Sequence, residues 1–313
     1  MNYINIQKGR SICLFFMLVV FVGCETKVKT EQHKLAGNAL GTTYHITYLS
    51  EEIDGLSEKV DSIVFALNHA LSTYQKKSLI SSFNSNSKEL WNDPDEAVHY
   101  KNDKRHFTEM VSLSKIISKT TCGAFDPSAK LLYDEYNRAK KAEEYMNEEV
   151  VIDALMHQGM HKIQLDEQGF PYKLDSSVQL NFNAIAKGYL VDIVADYLTD
   201  SGIENYMVEI GGEMRISGHS ASKKPWKIGI NVPRIEAKPT DLFKVLDLKN
   251  VALATSGNYQ NFYTVNGELV GHTLDPRNGK PVVNSLKSAS ILHPKCAVAD
   301  AYATACMVLG LEE

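Results

Sequence analysis

Residues 190–202 read Leu190-Val191-Asp192-Ile193-Val194-Ala195-Asp196-Tyr197-Leu198-Thr199-Asp200-Ser201-Gly202, and the chain continues Ile203-Glu204-Asn205-Tyr206-Met207-Val208-Glu209-Ile210-Gly211-Gly212. Leu190, Ile193, Val194, Tyr197 and Leu198 recur at helical spacing, while Asp192, Asp196 and Asp200 fall together on a second face of the same helix. Gly202 is a natural C-terminal stop, because glycine adopts the left-handed backbone that ends many helices without steric cost. Tyr206 to Ile210 then reads as a buried strand broken by Gly211-Gly212. That glycine pair lacks the spacing of a dinucleotide fingerprint and the Lys-Ser/Thr ending of a phosphate loop.

Working outward, Trp226, Ile228, Ile230 and Val232 alternate as in a half-buried strand, and Val251 to Ala254 leads to a turn at Thr255-Ser256-Gly257. Ala299 to Leu309 predicts a final helix. Upstream, Thr43 to Tyr48 is β-branched and aromatic, the composition of a strand. Leu56, Val60, Ile63, Val64, Leu67 and Leu71 predict a helix that Asp54 or Ser57 can start, and a second helix runs through Phe107, Met110, Val111, Ser114 and Ile117. The charge run Arg138 to Glu149 reads as a solvated helix face or an exposed insertion. Strands and helices are interspersed without regular βαβ alternation or an internal repeat, so the expected class is α+β: mixed sheets with packed helices, in two intimately associated halves.

The 313 residues are 44% hydrophobic and 23% charged, which excludes a fibrous or wholly disordered chain. A formal net charge of −5 argues against a nucleic-acid binder that relies on a broad basic surface. At the N-terminus, Lys8 and Arg10 precede an apolar run from Ile12 to Val22, too short for the roughly 20 residues that cross a bilayer. Positive flank, short apolar stretch and small residue describe a secretory signal over residues 1–23, and Phe21-Val22-Gly23-Cys24 resembles a bacterial lipoprotein box that leaves Cys24 acylated. Residues 24–36 then form a flexible tether and residues 37–313 the domain, with order beginning near Leu40. Cys122, Cys296 and Cys306 have no metal-like spacing and are odd in number, so neither a zinc site nor a disulfide framework is indicated.

Eight ordered blocks carry a family resemblance. They are Ala39 to Tyr44, Ser72-Thr73-Tyr74 with Ser78 and Phe83-Asn84, Thr121 to Ser128, Asn183 to Tyr189, Glu209 to Glu213, Thr255 to Tyr259, His272 to Gly279, and Asp300 to Thr304. Together they resemble the ApbE family of FAD:protein FMN transferases, often lipoproteins, from about Leu40 to Leu309. The resemblance implies an ApbE-like flavin transferase fold. It also implies an activity: cleavage of the FAD pyrophosphate, attachment of FMN through a phosphoester to a Thr or Ser of an acceptor flavoprotein, and release of AMP, with Mg²⁺. The partners it implies are FAD, flavoprotein subunits of membrane electron-transport complexes, and the membrane through a lipid anchor facing the periplasm.

The same resemblance assigns roles. Asp300 and Thr304 project from one helical face and, with the main-chain carbonyl of Ala184, offer the hard oxygen ligands that Mg²⁺ prefers. Lys187 stands at the start of the central helix, where a cation and free N–H groups suit a phosphate. Leu40, Tyr74, Ala124, Phe125, Asp126, Asn181 and Leu274 fall on nucleotide-binding positions. His272 is the candidate base for the acceptor hydroxyl, with Asp275 orienting it or serving as base itself. Departures from the family pattern include Leu40 in place of Met, Asn181 in place of Asp and Thr273 in place of an aliphatic residue. A hydrolase converting FAD to FMN and AMP would use the same residues, and a non-catalytic flavin-binding lipoprotein is a further alternative.

Overall fold

The computed structural model describes residues 31–87, 97–238, 240–259 and 262–312. The expected signal segment and Cys24 lie outside the described residues. The elements begin with β1 (Glu31–Ala39), β2 (Thr42–Ser50), α1 (Leu56–Leu71), α2 (Leu79–Asn84), α3 (Ala97–Thr120), α4 (Lys130–Ala142) and α5 (Glu148–His157). A short 3-10 turn precedes β3 (Ile163–Leu165) and β4 (Pro171–Lys173), then come α6 (Ala186–Asp200), β5 (Asn205–Ile210), β6 (Glu213–Ser217) and β7 (Trp226–Asn231). The chain continues with β8 (Leu242–Leu248), β9 (Val251–Gly257), β10 (Phe262–Val265), β11 (Glu268–Gly271), β12 (Leu274–Asp275), β13 (Lys280–Pro281), β14 (Ser288–His293) and α7 (Cys296–Leu309).

The main sheet is antiparallel in the order β1-β2-β5-β6-β9-β14. Strands from both ends of the chain thus lie in one sheet, and four two-stranded ribbons surround it. Helix α6 packs on β5 and β6, α7 on β9 and β14, and the two helices pack on each other. Val191, Val194 and Leu198 of α6 meet Tyr44, Ile46, Tyr206 and Val208 of the sheet in the largest apolar cluster, which extends to Phe107 and Met110 of α3. A second cluster lies under α4 and a third under the β7–β8 ribbon.

Several expectations are corrected. The first described strand lies upstream of Leu40: β1 pairs with β2 along its whole length, so residues 31–36 belong to an edge strand rather than a tether. Helix α1 starts from Gly55 in a left-handed conformation, with no side-chain cap from Asp54 or Ser57. Thr255-Ser256-Gly257 continues β9, because Ser256 and Gly257 pair with Ala289 and Ser288. The charge run Arg138 to Glu149, by contrast, is exposed as expected apart from Ala139 and Met146: it ends α4 and opens α5, with Arg138 bridging Glu135 and Glu144.

The contact between α6 and α7 is made by polar groups as well as apolar ones. Asp192, buried rather than solvated, accepts the backbone N–H of Cys296 on Oδ1 and of Ala297 on Oδ2, each at 3.0 Å, and so caps α7. Asp300 of α7 accepts the first-turn N–H of Gly188 at 3.1 Å, capping α6 in return. The helices cross at Gly188, where a Cβ would stand 2.5 Å from the Cys296 carbonyl oxygen and 2.9 Å from the Ala297 Cα. Both neighbours are backbone and cannot turn aside. We therefore expect Gly188→Ala to cost about 1–3 kcal/mol, seen as a lower urea midpoint with unchanged slope; an unshifted midpoint would show that the two helices separate freely.

Candidate active site

A cleft of about 950 Å³ opens where α6, α7, β9, the β5–β6 turn and the loop after α3 meet, at the upper end of the usual range for small-molecule sites. Most residues singled out by sequence line it: Tyr74, Ala124, Phe125, Asp126, Asn181, Ala184, Lys187, His272, Asp300 and Thr304. They come from five separated stretches of chain, brought together by the sheet and the two capped helices.

The floor is charged. Lys187, second residue of α6, bends over Gly211 and forms an ion pair with Glu213 Oε1. Gly211 has φ +58°, and a Cβ there would lie 2.8 Å from Thr42 and 3.3 Å from the Lys187 side chain, so the turn and the lysine both require glycine. Burial lowers the Lys187 pKa, but the negative charges of Asp300 and Glu213 outweigh it and hold the ammonium above its ordinary value. Burial, followed by the Asp300 charge, pushes the Glu213 carboxyl well above the carboxylate range against the pull of Lys187. Burial also raises Asp300, opposed by Lys187 and by the Gly188 N–H. One turn beyond Asp300, the Thr304 hydroxyl lies 3.2 Å from that of Ser256 on β9.

The walls are shaped by turns. Asp126 accepts both the N–H and the hydroxyl of Ser128, at 2.8 and 2.6 Å, which fixes the loop that carries Ala124 and Phe125. Asn181 donates its N–H to Pro127 and accepts the Asn183 N–H, both within 2.9 Å, so it ties that loop to the approach to α6. Tyr74 stands 87% exposed at the mouth, free to cover a planar ligand.

Three predicted residues do not line the cleft. Leu40 occupies the β1–β2 turn at φ +49° and packs on the main core. Leu274 is fully buried in the second apolar cluster, its backbone bonded to the Tyr133 hydroxyl. The Asp275 carboxylate is taken up by Arg277 Nε at 3.0 Å, Arg277 Nη2 at 3.0 Å and Asn278 Nδ2 at 3.1 Å. Asp275 therefore shapes the turn, while His272 faces the cleft. The sequence reading passed over Glu213, Ser256, Tyr133 and Tyr136, which also line it. The acid directly after Gly211-Gly212 was the available signal for Glu213; the two tyrosines lie in α4, outside the eight blocks.

The sequence model of the ApbE family matches residues 40–313. The chain belongs to the ApbE family. An FAD:protein FMN transferase of Vibrio cholerae is 31% identical to it over 94% of this chain and 86% of that protein. One from Haemophilus influenzae is 32% identical over 94% and 85%. The structure of the flavin transferase ApbE from Vibrio cholerae aligns with a TM-score of 0.74 at 30% identity, covering 90% of this chain and 88% of that one. The apo form of Pseudomonas stutzeri flavinyl transferase ApbE gives 0.74 at 28% identity, covering 90% and 86%. The mixed helix and sheet architecture is therefore that of ApbE flavin transferases, as the eight sequence blocks implied.

Proposed function

We propose that this chain transfers FMN from FAD to a Thr or Ser hydroxyl of an acceptor flavoprotein, using Mg²⁺ and releasing AMP. Its relatives carry the name of that activity. The observation that carries the reading is the convergence of Lys187, Ala184, Asp300, Thr304 and His272, distant in sequence, on one cleft. The donors suit the cation: a carboxylate, a hydroxyl and a carbonyl are the hard oxygen set of Mg²⁺. Among the described residues no three His, Cys, Asp or Glu gather as a metal site, so such a cation would rely on the neutral oxygens of Thr304 and Ala184 beside Asp300. When bound, it neutralises charge on the pyrophosphate.

The residues of the chain divide the remaining work. Lys187 and the first-turn N–H groups of α6 hold the pyrophosphate. Tyr74 and the Ala124 to Asp126 loop orient the nucleotide. His272 accepts the proton of the acceptor hydroxyl as its oxygen bonds to the FMN phosphorus; the bond to the AMP oxygen breaks and AMP departs with that electron pair. Asp275 keeps the His272 loop in shape through Arg277. Incubation with FAD, Mg²⁺ and an acceptor flavoprotein should yield AMP and covalent flavin in equal amounts. Free FMN in place of covalent flavin would replace this reading with an FAD pyrophosphatase, and FAD held without turnover would make the chain a flavin carrier.

Two consequences separate binding from chemistry. His272→Ala should keep its FAD affinity and lose roughly 10²- to 10⁴-fold in single-turnover transfer, whereas Lys187→Ala should weaken FAD binding first, as followed by flavin fluorescence. Normal transfer by saturated His272→Ala would end its assignment as base. Asp300→Asn keeps an oxygen for the Gly188 N–H but removes the charge, so it should retain the native melting temperature and lose turnover; full activity after chelation and Mg²⁺ repletion would remove Asp300 from the metal set.

We further propose that Cys24 is acylated after export, leaving the domain on the periplasmic side of a membrane beside the flavoprotein subunits of electron-transport complexes. Lipidation then serves location alone. Cys24→Ser should yield a domain released by high-salt washing with unchanged activity in solution, and its retention in washed membranes would contradict the anchor.

A further inference from the structure

The cleft holds a buried carboxyl oxygen that no residue assigned so far satisfies. Glu213 opens β6 directly after the glycine turn, with its side chain only 5% exposed. Its Oε1 takes the Lys187 ammonium, whereas Oε2 is buried without any hydrogen-bond partner. Asp300 is buried nearby and uses one oxygen for the Gly188 N–H. Both carboxylates act on the same ammonium, and both line the cleft. Two carboxyl groups thus share one ammonium where water is largely excluded. A desolvated carboxylate oxygen without a donor is among the costliest arrangements a protein interior can hold. A hard dication meeting that oxygen removes the cost.

We propose that Glu213, through Oε2, is a second carboxylate ligand of the divalent cation held by Asp300, Thr304 and the Ala184 carbonyl. The inference rests on the cation reading above and adds to it a ligand that lies outside the set read from the sequence. It also gives the Lys187–Glu213 pair a role in the metal-free protein. Lys187 partners Oε1 of Glu213 in the cation's stead, and a dication adds positive charge beside it. Lys187 is then less firmly held by Glu213 and available to a nucleotide phosphate.

The test is direct metal binding without FAD. The metal-stripped full chain in detergent is titrated with Mn²⁺, and the free ion is followed by electron paramagnetic resonance. Glu213→Gln should weaken Mn²⁺ binding by about tenfold or more, and Glu213→Asp, which keeps the charge but withdraws the oxygen, should weaken it less. Lys187→Gln should tighten it, because a competing cation is gone. The loss caused by Glu213→Gln should persist in the Lys187→Gln background, where the pair is neutral and no ammonium is orphaned, so the comparison survives even if Glu213→Gln alone fails to fold. Unchanged Mn²⁺ affinity in Glu213→Gln overturns the assignment. A loss that vanishes in the Lys187→Gln background also overturns it, since Glu213 would then act only by neutralising Lys187. Absence of Mn²⁺ binding by the unaltered protein would overturn the cation reading as well.

Discussion

The reciprocal capping of α6 and α7 is the constraint on which the rest of the site depends. Asp192 of α6 closes the first turn of α7 through two N–H groups, and Asp300 of α7 closes the first turn of α6 through one. Each helix start has orphan donors that must be satisfied when buried, and here each helix supplies the other's acceptor. Gly188 lets the two backbones meet, so the distance between Lys187 and Asp300 is set by main chain against main chain and not by the packing of flexible side chains. Arg215 reinforces the clasp from β6, bonding Asp192 at 3.1 Å and Asp196 at 2.7 Å, and Lys295 holds Asp196 from the other side.

Asp300 therefore has two tasks: one oxygen is structural and the carboxylate as a whole is part of the charged floor. That arrangement makes the substitution chosen at this position matter. Alanine removes the cap together with the charge, so loss of activity in that variant reads as chemistry and architecture combined. Asparagine separates them. The same logic applies to Asp275, whose carboxylate is engaged by Arg277 and Asn278 and supports His272 through the shape of the turn.

Much of this was legible in the sequence, for identifiable reasons. Helix α6 has a full hydrophobic stripe and a glycine stop, and β5 ends in two glycines with positive φ, so local periodicity and turn chemistry define them without tertiary help. The residues that line the cleft were legible through ordered blocks of sequence, since no single spacing brings Ala184 together with Asp300 and Thr304 of α7. What escaped was whatever depended on pairing. Residues 31–36 alternate too weakly to announce a strand and gain one only because β2 offers its edge. Asp192 shares a helical face with Asp196 and Asp200, and nothing in that spacing foretells the two N–H groups of α7 that it caps. Thr255 to Gly257 has the composition of a turn but is held extended by β14.

The topology also fixes when the cleft can come into being. Neighbours on β2 and β5 such as His45 and Glu209 are 164 positions apart, and the last residues to join the floor are on α7, the final helix. Closing so long a loop before any contact rewards it makes folding slow relative to chains dominated by local contacts. A chain that has not yet delivered α7 has no floor of two carboxylates and an ammonium, and hence no place for a nucleotide. The cleft is thus a late product of folding, and a chain cut short before α7 would keep most of its sheet and lose its site.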